Sequence, residues 1–98
     1  MKVSPILSVA RPVMTVKGPL AYQRLGITDV HNHIWIDRVA GAQPGGPVLD
    51  QFNLILKELV EYRDKGGETL LDCQPQGCGR DGNQLLALSR ASGVNPIA

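Results

Sequence analysis

An α/β fold with parallel strand pairing is the architecture this sequence predicts, and three observations predict it. Short apolar runs alternate with stretches of helical period, in the order strand, helix, strand, helix and the opening of a further strand. One run, Glu68-Thr69-Leu70-Leu71-Asp72-Cys73, has a nearly continuous apolar centre, as a parallel strand covered on both faces requires. Turn-forming residues separate the elements. A short hairpin precedes the alternation.

The elements follow in order. Residues 1–11 carry no clear period and are expected to form a loose leader. Pro12-Val13-Met14-Thr15-Val16 is β-prone, and Lys17-Gly18-Pro19 is a turn signal. A strand is expected over 27–34, where Ile27, Val30 and Ile34 make a short apolar, buried run. Residues 41–47, rich in glycine and proline, read as a mobile loop. Asp50 is the expected cap of a first helix. Behind it Phe52, Ile55, Leu56, Leu59 and Val60 recur at i, i+3, i+4, i+7 and i+8, one apolar helical face. Glu61 and Lys65 are spaced as a favourable i, i+4 pair, and Gly66-Gly67 stops the helix near Lys65. After the strand over 68–73 and a loop over 74–80, Asp81 can cap a second helix, with Gln84 as capping-box partner. Leu85, Leu88 and Ala91 give that helix a seam, Ser92-Gly93 ends it, and residues 94–98 open a third strand.

Composition narrows the function classes. The 98 residues suffice for one small domain with a modest core. An apolar fraction of 43% and a charged fraction of 19% are those of a globular chain. The net charge of +1 comes from interspersed acids and bases, with no basic patch or tail, so nucleic acid is not the expected partner. No run approaches the roughly 20 apolar residues that cross a bilayer. The start, with Lys2 and Pro5, lacks an apolar core of signal-peptide length, and the cytoplasm is the expected location. Cys73 and Cys78 are separated by four residues, which fits no standard zinc or redox spacing. A reduced pair, with Cys73 at a strand end, is expected.

The chemistry concentrates in Asp29-Val30-His31-Asn32-His33, which holds both histidines of the chain. Side chains on a strand alternate faces, so His31 and His33 fall on one side, and Asp29 shares it one step earlier. Same-face neighbours lie roughly 6–7 Å apart along a strand, close enough for two imidazoles to meet one metal ion. The plainer reading is a pair of structural histidines at a sheet end. Two ligands do not complete a metal site: structural zinc takes four, catalytic zinc three plus water. The further candidates are Asp29, Asp37, Asp72, Cys73, Cys78 and Asp81, or residues outside this sequence. Both strand-to-helix loops fall on the edge of the sheet where α/β proteins place their sites.

Gly77-Cys78-Gly79-Arg80-Asp81-Gly82 also matches G-x-G-x-x-G between a strand and a helix. Three residues, Gln74-Pro75-Gln76, intervene before the first glycine, and Asp81 would set a carboxylate against a phosphate. A plain loop is the expected reading, and a dinucleotide-binding half-domain the weaker alternative.

Taken together, Val13-Met14-Thr15-Val16-Lys17-Gly18-Pro19-Leu20, Leu25-Gly26-Ile27-Thr28, His31-Asn32-His33, Gly67-Glu68-Thr69-Leu70-Leu71-Asp72, Gly79-Arg80-Asp81, Leu85-Leu86, Ser89-Arg90 and Gly93-Val94 resemble phosphotriesterase-like metallohydrolases of the amidohydrolase superfamily. The resemblance covers about residues 12–98 and implies the N-terminal portion of a TIM (β/α)₈ barrel: two βα units and the start of a third strand. It implies a metal-activated water attacking a phosphoester, lactone or other ester, with two divalent metals, usually Zn2+, and with His31 and His33 on the more buried one. The family's other ligands come from later strands, so their roles are assigned to nothing here, and whether this chain is itself an enzyme stays open. A complete barrel needs about 250 residues. The implied partner is a small-molecule ester or phosphoester, with no nucleic acid and no membrane, and self-association is left open. The alternative from a different class is a small non-catalytic α/β module. Two positions depart from the family pattern: Asn32 stands where glutamate is usual, on the side away from the metals, and Asp29 stands where an apolar residue is usual.

Overall fold

The computed structural model of the chain describes residues 12–38, 48–73 and 79–98. The expected leader over 1–11, the loop over 41–47 and Cys78 lie outside the described residues. Among the described residues five strands and two α-helices follow one another: β1 (Val13–Thr15), β2 (Gly18–Leu20), a 3₁₀ turn (Tyr22–Arg24), β3 (Ile27–Asn32), α1 (Phe52–Asp64), β4 (Gly67–Asp72), α2 (Gly82–Ser92) and β5 (Asn95–Ile97). β1 and β2 form an antiparallel hairpin; β3, β4 and β5 form a separate parallel sheet in that order. The α/β alternation and parallel pairing expected from the sequence are thus present, with each helix bridging successive parallel strands.

The hairpin turns earlier than its signal suggests. The turn is Val16-Lys17, and Gly18-Pro19-Leu20 is strand, with Pro19 opposite Met14. Proline is tolerated there because a two-stranded ribbon has edges on both sides. The Val16 N–H donates to Pro96 O at 3.0 Å, fastening the hairpin to β5.

β4 is central and buried along most of its length. Leu70 joins Leu59 of α1, Leu85 and Leu88 of α2, and Ile34, Trp35 and Val94 in one apolar core. On α1, Leu59 is buried, and Phe52, Ile55, Leu56 and Tyr62 pack against the core. Val60, expected on that face, is 37% exposed.

Three local expectations are corrected. The α1 cap is Gln51 rather than Asp50, with no side-chain capping bond. Leu49 pairs with Ile36 in an antiparallel bridge just before the helix, and the Asp50 carboxylate accepts from the Gln51 side chain instead. On α2 the buried face is Leu85, Leu88, Ser89 and Ser92, whereas Ala91 is exposed. The serines are satisfied: Ser89 Oγ donates to Val94 O at 2.6 Å, and Ser92 Oγ accepts the Val94 N–H at 3.1 Å. These bonds aim the chain from the helix end at Gly93 into β5. Among the described residues the ion pair at the end of α1 joins Arg63 to Glu68 at 3.5 Å, across the turn into β4, rather than the expected Glu61 to Lys65.

The helix starting at Gly82 carries the expected cap. Asp81 Oδ1 accepts the amides of Asn83 at 3.0 Å and Gln84 at 3.1 Å. No helix among the described residues is long and apolar enough to cross a membrane.

Candidate metal centre at the end of β3

β3 is shorter and less buried than its sequence suggests. It ends at Asn32, leaving His33 just beyond it, and Ile27 and Val30 are 64% and 69% exposed. The reason lies in its pairing: among the described residues β3 has β4 on one side alone, and its register against β4 slips between Ile27 and Thr28 and again between Asp29 and Asn32. An interrupted register releases backbone groups from the ladder, and those groups must find partners elsewhere.

Side chains supply them. The Tyr62 hydroxyl of α1 stands at the first slip, 2.8 Å from Thr69 O and 3.1 Å from Ile27 O, and accepts the Asp29 N–H at 3.2 Å. With one proton it donates to one carbonyl at a time. Desolvation pushes this phenol above its usual 10.0. At the second slip Asp29 Oδ1 accepts the His31 N–H at 3.1 Å and Asp29 Oδ2 accepts from Asn32 Nδ2 at 3.0 Å. Asn32 Oδ1 in turn accepts the His33 N–H at 2.8 Å. The Asn32 amide first, and the His31 N–H second, hold the Asp29 carboxyl below the usual carboxylate range. Pairing resumes where the Cys73 N–H donates to Asn32 O at 2.8 Å.

The two imidazoles end up side by side. Their centroids are 5.7 Å apart and their planes cross at 77°. On a tetrahedral centre with Zn–N bonds of about 2.0–2.1 Å, two imidazole centroids stand roughly 5–5.5 Å apart, slightly closer than the two rings here. Both rings are exposed and accessible to an ion.

The other candidates do not join them. Among the described residues, no group of three or more His, Cys, Asp or Glu converges as a metal site. The Asp29 carboxylate is turned onto the backbone and Asn32. Asp37 accepts the Trp35 indole N–H at 2.8 Å. Asp72 is buried at the end of β4, in register with Asn32. Cys73 Sγ lies 3.4 Å from Val30 O. Asp81 caps α2, and this disposes of the dinucleotide reading, because its carboxylate already holds the amides a phosphate would use.

The segment after β3 is tied to the segment leading into α2. The Asp37 N–H donates to Gly79 O at 2.8 Å. Gly79 has φ +77°, and a Cβ there would sit 2.4 Å from Asp37 O. The first residue of Gly-Arg-Asp must therefore be glycine. A cavity of about 230 Å³ opens between α1 and the end of β3, walled by Ile34, Ile55, Leu59 and Leu70, with Asn32, His33 and Glu58 also lining it.

Sequence reasoning missed Tyr62 and the Asp29–Asn32 pair. Tyr62 follows Ile55 and Leu59 at i+7 and i+3, so the period could have placed it on the buried face.

Comparison with known proteins decides the family. Residues 11–98 match the sequence model of the Phosphotriesterase family. The chain belongs to the phosphotriesterase family. A phospho-furanose lactonase of Mycoplasmopsis agalactiae is 32% identical over 87 residues, an overlap of 81% of this chain and 23% of that protein. The crystal structure of the lactonase Lmo2620 from Listeria monocytogenes superposes with a TM-score of 0.79 at 23% identity, covering 88% of this chain and 27% of that one. An amidohydrolase from Mycoplasma synoviae gives a TM-score of 0.73 at 29% identity, covering 88% of this chain and 26% of that one. This phosphotriesterase-family chain therefore spans about a quarter of the length of the relatives it matches.

Proposed function

We propose that this chain forms the first two βα units and the opening of a third strand of a (β/α)₈ hydrolase of the lactonase and phosphotriesterase type. His31 and His33 are its contribution to a divalent-metal site, with zinc the expected ion. The observation that carries this reading is the imidazole pair, 5.7 Å apart, at the end of a strand in a parallel sheet. That edge of the sheet is where barrels of this kind assemble their sites. The names of the phospho-furanose lactonase relatives point to lactone esters as the substrate class, with phosphoesters the family alternative.

When bound, a divalent metal supplies Lewis-acid polarisation of the carbonyl or phosphoryl oxygen and a lowered pKa for water. What these residues supply is narrower. His31 and His33 offer ring nitrogens, and their backbone is held by Asp29 and Asn32. Two ligands hold an ion weakly, and the chain alone is expected to hydrolyse no ester.

The test is metal content. After incubation with zinc and gel filtration, the parent chain is expected to retain at most one ion, and the double variant H31A/H33A none. Equal zinc in the two proteins would remove the metal role from these residues. Turnover of an aryl ester or a lactone by the parent chain would overturn the expectation of inactivity.

A further inference from the structure

We infer that Asp29 and Asn32 are a positioning pair that sets the two imidazoles side by side, a role that rests on the metal reading above for its consequence. Three hydrogen bonds run through five consecutive residues. Asp29 Oδ1 accepts the His31 N–H at 3.1 Å, Asp29 Oδ2 accepts from Asn32 Nδ2 at 3.0 Å, and Asn32 Oδ1 accepts the His33 N–H at 2.8 Å. Each histidine backbone is thus gripped by one member of the pair, and the two members grip each other. They flank the interruption of the β3–β4 register, so the ladder does not fix Val30 and His31 between them. His33 lies past the end of β3, where strand alternation no longer dictates its direction. Two rings separated by 5.7 Å across an interrupted register need an orienting device, and these side chains provide it.

The polarity of the chain of bonds is specific. A carboxylate at position 29 offers two acceptors, and the amide at 32 offers one donor toward it and one acceptor toward His33. Exchanging the two residues keeps this pattern. In D29N/N32D the amide oxygen at 29 takes the His31 N–H, the amide nitrogen donates to the carboxylate at 32, and that carboxylate takes the His33 N–H. The exchange also leaves the net charge unchanged. Leucine at 32 has similar bulk and no polar group, so N32L releases His33 without altering charge.

The experiment compares the 98-residue parent with N32L, D29N/N32D and H31A/H33A in two readouts. In metal-free protein, amide hydrogen exchange by NMR is expected to be faster at His33 in N32L, with the ring-to-ring NOE between His31 and His33 weakened. Both features return in D29N/N32D. In Co2+ titrations followed by visible absorption, N32L is expected to bind roughly tenfold to a hundredfold more weakly, the range typical for residues that orient metal ligands. D29N/N32D is expected to recover the parent affinity and spectrum. Unchanged exchange and NOE in N32L would overturn the positioning role, as would an exchanged pair as impaired as N32L. If the parent binds no Co2+, or H31A/H33A binds it equally well, the metal reading fails, and the metal-free readout still judges the positioning pair.

Discussion

The Tyr62 hydroxyl sits where the β3–β4 register first slips, and it meets backbone groups from both strands at once. Removing it in Y62F leaves the Asp29 N–H without its acceptor and a β-strand carbonyl without its donor. The expected cost is about 1–3 kcal/mol, read as a lower urea midpoint. The same residue fixes a pH dependence. Desolvation, the largest cause, raises the folded-state pKa of Tyr62 above 10.0, so the native state keeps a proton that the unfolded chain has already lost. Stability from this group is fully present below the unfolded value and falls as pH rises through the folded one. Urea midpoints measured at roughly pH 9 and pH 11 should therefore diverge in the parent, with a smaller difference in Y62F. Neither Tyr62's partners nor the Asp29–Asn32 bonds were legible in the sequence. The hydroxyl reaches Ile27 across 35 positions, and both clusters answer register slips that exist only once β3 pairs with β4. The closeness of the two rings was legible from their i, i+2 spacing, whereas the side-chain bonds that hold the backbone between them were not.

Among the elements, the two helix starts show what a capping residue needs beyond its identity. Asp81 and Asp50 are equally good caps by type. Asp81 is free to turn onto the Asn83 and Gln84 amides because it leads directly into α2 from extended backbone. Asp50 follows the Ile36–Leu49 bridge, and the helix begins one residue later than its carboxylate can serve. Substituting Asp81 by alanine should cost about 0.5–2 kcal/mol. The same change at Asp50 should leave the thermal midpoint nearly unmoved, since no helix amide depends on it. Differential scanning of the two variants checks the contrast. The seam of α2 shows the same limit of pattern reading. Hydrophobicity pointed to Ala91, but the buried face takes Ser89 and Ser92, whose hydroxyls serve Val94. A serine that returns its hydrogen bonds to the backbone can occupy a core position that composition alone would leave to alanine.

At the scale of the molecule, the parallel sense of the sheet followed from the alternation of elements. The exposed flank of β3 did not, because alternation says nothing about which strand lies last. In the described residues β3 has β4 on one side, and it carries Ile27 and Val30 at 64% and 69% exposure. A terminal strand with exposed apolar side chains is a template for another strand, and natural sheets blunt such edges with lysine. β5 is better protected, since the hairpin bonds to it through Val16 and Pro96. Among the described residues the outer flank of β3 is unpaired, so any contact between copies of this chain is expected to run through it. Val30→Lys places a charge on that strand without touching the apolar core, of which Val30 is no part. Sedimentation velocity over a concentration series should show the parent shifting toward larger species while V30K stays at the smaller one. Circular dichroism of the two should match. Equal concentration dependence in both would move the contact away from β3, and a concentration-independent parent would show that this flank recruits no second copy.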